Sequence, residues 1–277
     1  MPPTEGRSQK GFRPGTLGSG VETHLDSRPW RVAVTRAETE AGPLTRALGA
    51  EGLLPVSCPV LIAAPPLDPA PLLRAAEQLE AYDWVICASA RAVEALRPSA
   101  VRRGWPAGVR TAAVGPATAK ALIALGVADR PVTAGSPGAD ALWATLAACD
   151  VWAGRRVLVL TTPGGRTTLM DELSHAGARV DAIEAYRMVP RPAAEIRFDW
   201  DRAAPDAVVL ASPRTATALL DAVGREALAS CQFVVAIGET TAQALEKMDV
   251  SCQVPSRATF EEAARTVARL LPSGDRA

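Results

Sequence analysis

Asp83-Trp-Val-Ile-Cys-Ala-Ser-Ala-Arg91 is answered 123 residues later (83 to 206) by Asp206-Ala-Val-Val-Leu-Ala-Ser-Pro-Arg214. Each copy starts with an acid, runs through five apolar residues and closes on a serine and, two residues later, an arginine. The same spacing (113 to 236) carries Ala113-Val-Gly-Pro-Ala-Thr-Ala-Lys-Ala-Leu122 onto Ala236-Ile-Gly-Glu-Thr-Thr-Ala-Gln-Ala-Leu245. A spacing of 125 (31 to 156) carries Arg31-Val-Ala-Val-Thr35 onto Arg156-Val-Leu-Val-Leu160. Three blocks in one order at a nearly constant offset mark an internal duplication.

Around these blocks, short apolar runs alternate with longer stretches of helical period. The first half predicts strands near 31–35, 53–58, 83–88, 110–114 and 130–133, with helices near 38–50, 68–81, 90–97, 116–125 and 138–147. The second half predicts strands near 156–161, 179–184, 206–211, 232–237 and 250–254. Runs such as Val157-Leu-Val-Leu160 suit strands covered on both faces, and the alternation predicts doubly wound parallel sheets. Ser89 and Ser212 are N-cap candidates, Pro116 and Pro213 suit first helical positions, and Gly115 and Gly238 turn strand into helix. Two proline-bounded segments, Pro59–Pro65 and Ala185–Pro190, hold equivalent places in the repeat and suit connections that cross between lobes. The repeat alone would divide the lobes near residue 150.

The 277 residues carry 30 basic and 30 acidic side chains, which argues against a broad basic face for nucleic acid or an anionic membrane. No apolar run reaches a membrane-spanning length, and a cytoplasmic location is the expectation. Residues 1–29, rich in Gly, Pro, Ser and Arg, read as a disordered tail without the apolar core of a signal peptide; residues 272–277 read as a second tail. The five cysteines are scattered and suit small core positions in a reducing compartment. The two histidines, His24 and His175, offer neither a triad nor a metal cluster. Neither GxGxxG nor a P-loop is present.

Ligands of open α/β sheets bind beyond the carboxyl ends of the strands. The turns there are Thr35-Arg36, Ser89-Ala-Arg91, Gly115-Pro-Ala-Thr118, Thr162-Pro-Gly-Gly-Arg166, Ser212-Pro-Arg214 and Gly238-Glu-Thr-Thr241. Each offers backbone N–H groups at a helix start with hydroxyl or guanidinium donors, which suits carboxylates or phosphates. Each is equally explained as a helix cap. Taken together over both halves, they favour an anion-rich ligand held in a cleft between two lobes. Tyr186, in the second crossing segment, is the acid–base candidate: a phenol of ordinary pKa near 10 keeps its proton at neutral pH. Packing of its ring against a lobe explains it equally. Tyr82 reads as packing. Two other readings stand beside an enzyme of this kind: a two-lobed binder of a small anion without chemistry, and a glycosyltransferase-like enzyme, which lacks its diphosphate-binding glycine turn here.

Val32-Ala-Val-Thr-Arg36, Cys87-Ala-Ser-Ala-Arg-Ala-Val-Glu94, Val114-Gly-Pro-Ala-Thr118, Ala185-Tyr186 after Gly177-Ala-Arg-Val180, and Ile237-Gly-Glu-Thr-Thr241 together resemble the uroporphyrinogen-III synthase family over residues 30–271. The resemblance implies two doubly wound, flavodoxin-like lobes joined by a two-stranded antiparallel linker, with the cleft between them. Lobe 1 would be discontinuous, 30–60 plus 191–271, and lobe 2 would be 61–190 including the linker strands. It implies cyclisation of the linear tetrapyrrole hydroxymethylbilane, with loss of water and inversion of ring D through a spiro intermediate. Neither metal nor organic cofactor is implied. The partner is a polycarboxylate substrate handed over by the preceding pathway enzyme, and the protein a monomer. Tyr186 matches the catalytic position; Arg36, Ser89, Arg91, Gly115, Thr118, Ser212, Arg214, Gly238, Thr240 and Thr241 match substrate-binding ones. Glu239 stands where the family's usual residue is proline, and its carboxylate would repel such a substrate unless it turned outward.

Overall fold

The computed structural model describes residues 29–38, 42–127, 130–136, 138–165 and 167–271; residues 1–28 of the first predicted tail, His24 among them, the whole of the second, and Arg166 lie outside them. The chain opens with β1 (Arg31–Val34), α1 (Pro43–Ala50), β2 (Leu54–Ser57) and β3 (Leu61–Ala64). It continues through α2 (Ala70–Glu77), a 3-10 turn (Leu79–Ala81), β4 (Trp84–Cys87), α3 (Ala90–Arg103), β5 (Arg110–Ala113), α4 (Pro116–Ala124), β6 (Val132–Thr133) and α5 (Ala139–Leu146). Then come β7 (Arg156–Thr161), α6 (Thr168–His175), β8 (Arg179–Glu184) and β9 (Arg187–Pro190). The last part holds α7 (Ala193–Ala203), β10 (Ala207–Leu210), α8 (Pro213–Val223), α9 (Arg225–Ala229), β11 (Phe233–Ala236), α10 (Glu239–Glu246) and α11 (Phe260–Leu270).

These strands form two parallel sheets, ordered β11-β10-β1-β2 and β6-β5-β4-β7-β8, and an antiparallel pair, β3-β9. Each parallel sheet mixes strands from both repeats, and it does so in the same register. Val32 lies opposite Ala207, and its repeat equivalent Val157 lies opposite Trp84, the equivalent of Ala207. The acids before these strands lock the pairing. Asp206 Oδ2 accepts from Arg31 N at 2.9 Å, and Asp83 Oδ2 accepts from Arg156 N at 2.8 Å. The fold is thus two parallel-sheet lobes joined by a two-stranded antiparallel linker.

Alternation along each strand sends side chains to two helical layers. In the first lobe Ala33, Val208 and Leu210 join the core under α7, α8 and α10. Val32, Val34, Ala207 and Val209 join the core under α1 and α11. In the second lobe Val85, Cys87, Leu158 and Leu160 face α2, α3 and α4, and Trp84, Ile86, Val157 and Val159 face α5 and α6. Burial on both faces explains why these strands read as unbroken apolar runs. Cys58, Cys87 and Cys231 are buried, and burial pushes the thiols of all three up to about 12.

Three elements depart from expectation. The helix after Ser89 does not stop at residue 97 but passes through Pro98 to Arg103. Proline there forfeits one N–H bond, yet the following turn is anchored: Ser99 and Ala100 are buried, and Ser99 Oγ donates to Ala76 O at 2.5 Å. Gly104, at φ 75°, ends it. The helix expected from residue 38 begins at Pro43. The expected strand 250–254 shrinks to one parallel bridge, Val235 to Gln253, in the place that the two-residue β6 holds beside β5 in the other lobe.

The two aspartates differ in exposure, so their removal should differ in cost. Asp206 is 4% exposed, and Asp206→Ala should lose about 1.5–3 kcal/mol, the range for hydrogen bonds to a charged group. The Asp83 side chain is 38% exposed, and water will replace part of what Asp83→Ala removes, leaving a smaller loss. Urea denaturation of the two variants checks the order.

Candidate functional site

The antiparallel linker forms one wall of the space between the lobes. Its register sets Ala63 opposite Met188 and Leu61 opposite Pro190, so these four side chains share one face. Both tethers are fastened by guanidinium-to-carbonyl bonds. Arg187 Nε donates to Pro65 O at 3.1 Å, and Arg191 Nη1 donates to Pro59 O at 2.8 Å. Arg191 also pairs with Asp199 at 2.8 Å, tying the second tether to α7.

A cavity of about 230 Å³ opens beside this wall, lined by Thr35, Arg36, Ala37, Leu61, Arg91, Tyr186, Met188, Ala211, Ser212 and Thr215. It draws on strand-to-helix turns of both lobes. Tyr186 stands between β8 and β9, one residue before the linker strand begins. Its hydroxyl lies 3.1 Å from Ser89 Oγ, while its ring packs on the core of the second lobe. Ser89 is extended at φ −159° and caps α3, accepting from Ala92 N at 3.2 Å. One residue therefore ties the phenol to the positive end of a 14-residue helix, where negative charge is favoured.

The equivalent serine behaves differently. Ser212 caps α8 through Thr215 N at 3.2 Å, but its Oγ meets Thr215 Oγ1 at 2.8 Å and no phenol. The paired arginines diverge too. Arg214 Nη2 donates to Met188 O at 2.7 Å, fastening α8 to the linker, whereas Arg91 lines the cavity with no hydrogen bond or ion pair among the described residues. Arg36 lines it from the first lobe, with Nε 3.0 Å from Glu38 Oε1. Thr35 is a structural residue: its hydroxyl donates to Val209 O at 3.1 Å.

The remaining candidates stand outside this cavity. Gly115 and Gly238 cap α4 and α10 with nearly identical extended backbones. Thr118 and Thr241 follow in the first turns, 5% and 3% exposed, so only their edges reach solvent. Thr240 is exposed. Thr215, Leu61 and Met188 line the cavity without having been singled out in the sequence. Thr215 was detectable as the third residue after a capping serine; Leu61 and Met188 needed the linker register.

Larger hollows lie elsewhere. One of about 580 Å³ is lined by Glu239, Glu246 and Asp249, and three carboxylates make it hostile to an anion. Glu239 turns into that hollow and accepts from Gln243 Nε2 at 3.4 Å. Another of about 460 Å³, in the second lobe, is walled largely by Ala88, Val114, Val159, Leu169 and Met170, with no charged side chain in its lining among the described residues. Among the described residues there is no group of three or more His, Cys, Asp or Glu able to hold a metal ion, and no helix is long and apolar enough to cross a membrane.

The family described as Uroporphyrinogen-III synthase HemD matches residues 42–265. A uroporphyrinogen-III synthase of Synechococcus elongatus is 36% identical over 100 residues, which are 34% of this chain and 37% of that relative. The chain thus spans little more than a third of that relative's length. The crystal structure of uroporphyrinogen-III synthetase from Helicobacter pylori matches at TM-score 0.53 and 15% identity, over 88% of this chain and 100% of the other. A mutant uroporphyrinogen III synthase from Thermus thermophilus gives 0.47 and 20%, over 87% and 98%. The Helicobacter likeness shows the two-lobed α/β fold.

Ser89 carries two bonds, so the site makes a stability prediction. Ser89→Ala should cost about 1 kcal/mol through the lost cap, and Tyr186→Phe should cost less because α3 stays capped. Paired denaturation curves test this ordering.

Proposed function

We infer the reaction from one premise: this chain belongs to the uroporphyrinogen-III synthase family. In this reading it is a cyclising hydro-lyase that takes hydroxymethylbilane to uroporphyrinogen III, eliminating water and inverting ring D. The observation that carries the reading to a particular site is the Tyr186–Ser89 hydroxyl pair beside Arg36 and Arg91 in one inter-lobe cavity. Residues 30–60 with 191–271 make one lobe and 61–190, linker strands included, the other.

The terminal hydroxyl of the bilane must leave as water, so a proton has to reach it as the C–O bond breaks. With Ser89 as the donor of the hydroxyl pair, the phenol proton is free for the departing hydroxyl. The phenolate that results lies at the N-terminus of α3, whose dipole favours it. The arm left behind is cationic, and the ring nitrogen shares its charge. Closure at the free position of ring D needs no enzyme, so the protein's main task is to hold the chain bent toward the substituted carbon. Arg36 and Arg91 take carboxylates from opposite lobes, and such two-sided anchoring imposes the bend.

About 230 Å³ lies below the common range for whole-ligand pockets. The cavity holds the reacting end of the tetrapyrrole, and the other carboxylates lie along the turns at Gly115–Thr118, Ser212–Arg214 and Gly238–Thr241. The protein acts as a cytoplasmic monomer, without cofactor, on substrate delivered by the preceding enzyme.

Fresh hydroxymethylbilane, followed by oxidation and isomer analysis, tests the reading. Excess type III over type I porphyrin is expected. Type I alone would sink it, and tight binding of the tetrapyrrole with type I alone would favour a binding protein without chemistry. Tyr186→Phe should slow type III formation roughly ten- to a hundredfold, near the low end for a general acid, because orientation survives; unchanged turnover removes Tyr186 from the mechanism.

A further inference from the structure

Arg36 reaches the cavity from the loop after β1, and two neighbours hold it. Glu38 Oε1 lies 3.0 Å from its Nε, and the ring of Phe260, first residue of α11, lies 4.9 Å beneath its guanidinium carbon. Its Nη1 and Nη2 make no hydrogen bond among the described residues.

Glu38 is itself immobilised. Its Oε2 accepts from Leu44 N and Thr45 N at 3.1 Å each and from Thr45 Oγ1 at 3.3 Å, closing the N-terminus of α1. Gly42 makes this possible, because a Cβ there would overlap the Glu38 side chain. The Glu38 side chain is 4% exposed, yet Oε1 has no hydrogen bond among the described residues. The Arg36 N–H near it is close enough for an ion pair but not aimed along a hydrogen bond. A helix cap needs one carboxylate oxygen, and a neutral amide would supply it. The buried charge on the second oxygen is costly, and the group it addresses is a guanidinium on the cavity wall.

We propose that Glu38 is a positioning residue for substrate binding: it holds Arg36 by the Nε side, against Phe260, so that Nη1 and Nη2 stay directed at a carboxylate in the inter-lobe cavity. This rests on the reading that a tetrapyrrole polycarboxylate binds there. Paired Nη groups grip a carboxylate in fixed geometry, and a guanidinium already held in place loses less rotamer entropy on binding. Glu38 touches no substrate and acts through Arg36.

Glu38→Gln separates the two roles, since the amide oxygen still caps α1 while the charge facing Arg36 is gone. KM for hydroxymethylbilane should rise about five- to tenfold, the scale of one charge-assisted pair, with kcat within about twofold. The same variant should weaken binding of uroporphyrin, an octacarboxylate whose fluorescence reports binding without turnover. Arg36→Ala should weaken it equally, and adding Glu38→Gln to Arg36→Ala should change nothing further. Phe260→Leu removes the ring face without touching the cap, and should move KM and porphyrin affinity the same way by a smaller factor. The inference is overturned if Glu38→Gln tightens binding, the result of competition between Glu38 and ligand for one arginine. Equal loss from Glu38→Gln with and without Arg36 overturns it too, as does an unaffected Phe260→Leu. Coupled porphyrin binding without type III product sinks the functional reading alone; type III product with uncoupled binding sinks this inference alone.

Discussion

The parallel pairing of β1 with β10, and of β4 with β7, is the contact on which the molecule depends. In each case the first strand of one repeat lies beside the fourth strand of the other, in matching register. An aspartate at the foot of the partner strand holds the register by accepting from the backbone N–H of Arg31 or Arg156. A chain that pairs its repeats in this exchanged way cannot pass between lobes once. It must leave the first lobe after β2 and return before α7. Antiparallel pairing of the outgoing and returning strands satisfies the backbone groups that these crossings would otherwise leave open.

The cleft follows from the same exchange. Both sheets present strand-to-helix turns, and the linker that joins them supplies a wall of Leu61 and Met188. Duplication gives each lobe a capping serine followed by an arginine, yet the two copies make different contacts. Ser89 meets the Tyr186 phenol, while Ser212 meets Thr215. Arg91 stays open to the cavity, while Arg214 is spent on the Met188 carbonyl. Pseudo-symmetry built the frame, and the two halves differ in what their serine and arginine meet.

Much of the fold was legible because the repeat could be read against itself: the strands, both linkers and the capping serines emerge from aligned halves, whereas the repeat alone would have divided the lobes near residue 150 and missed the exchanged pairing. Helix ends were less so. The helix expected over 90–97 runs on through Pro98, and the burial of Ser99 and Ala100 against the neighbouring helix shows why. At the site, Tyr186 stood out as a rare phenol in a crossing segment, but its bond to Ser89 did not, since a serine before a helix has a sufficient explanation as a cap. Thr118 and Thr241 were legible as turn residues and not as buried ones. Glu38 was not singled out, because the sequence reading placed it at the start of a helix; its contacts arise from Gly42, Leu44 and Thr45 folding back around it.

The exchanged pairing also bears on the order in which the protein can be made. The hydrogen bond from Arg31 to Asp206 spans 175 residues of chain, so β1 and β2 emerge from the ribosome long before the strands that complete their sheet. The strands of the five-stranded sheet, by contrast, follow one another from β4 to β8 and have all their partners in hand by residue 184. During synthesis the interior lobe is therefore able to fold first, as a platform. The leading strands can pair with each other, but the far edge of β1 waits open until the last third arrives, a long-range closure of the kind that slows folding and invites aggregation. The interval between translating β2 and β10 is the time for which the cell must keep that edge covered.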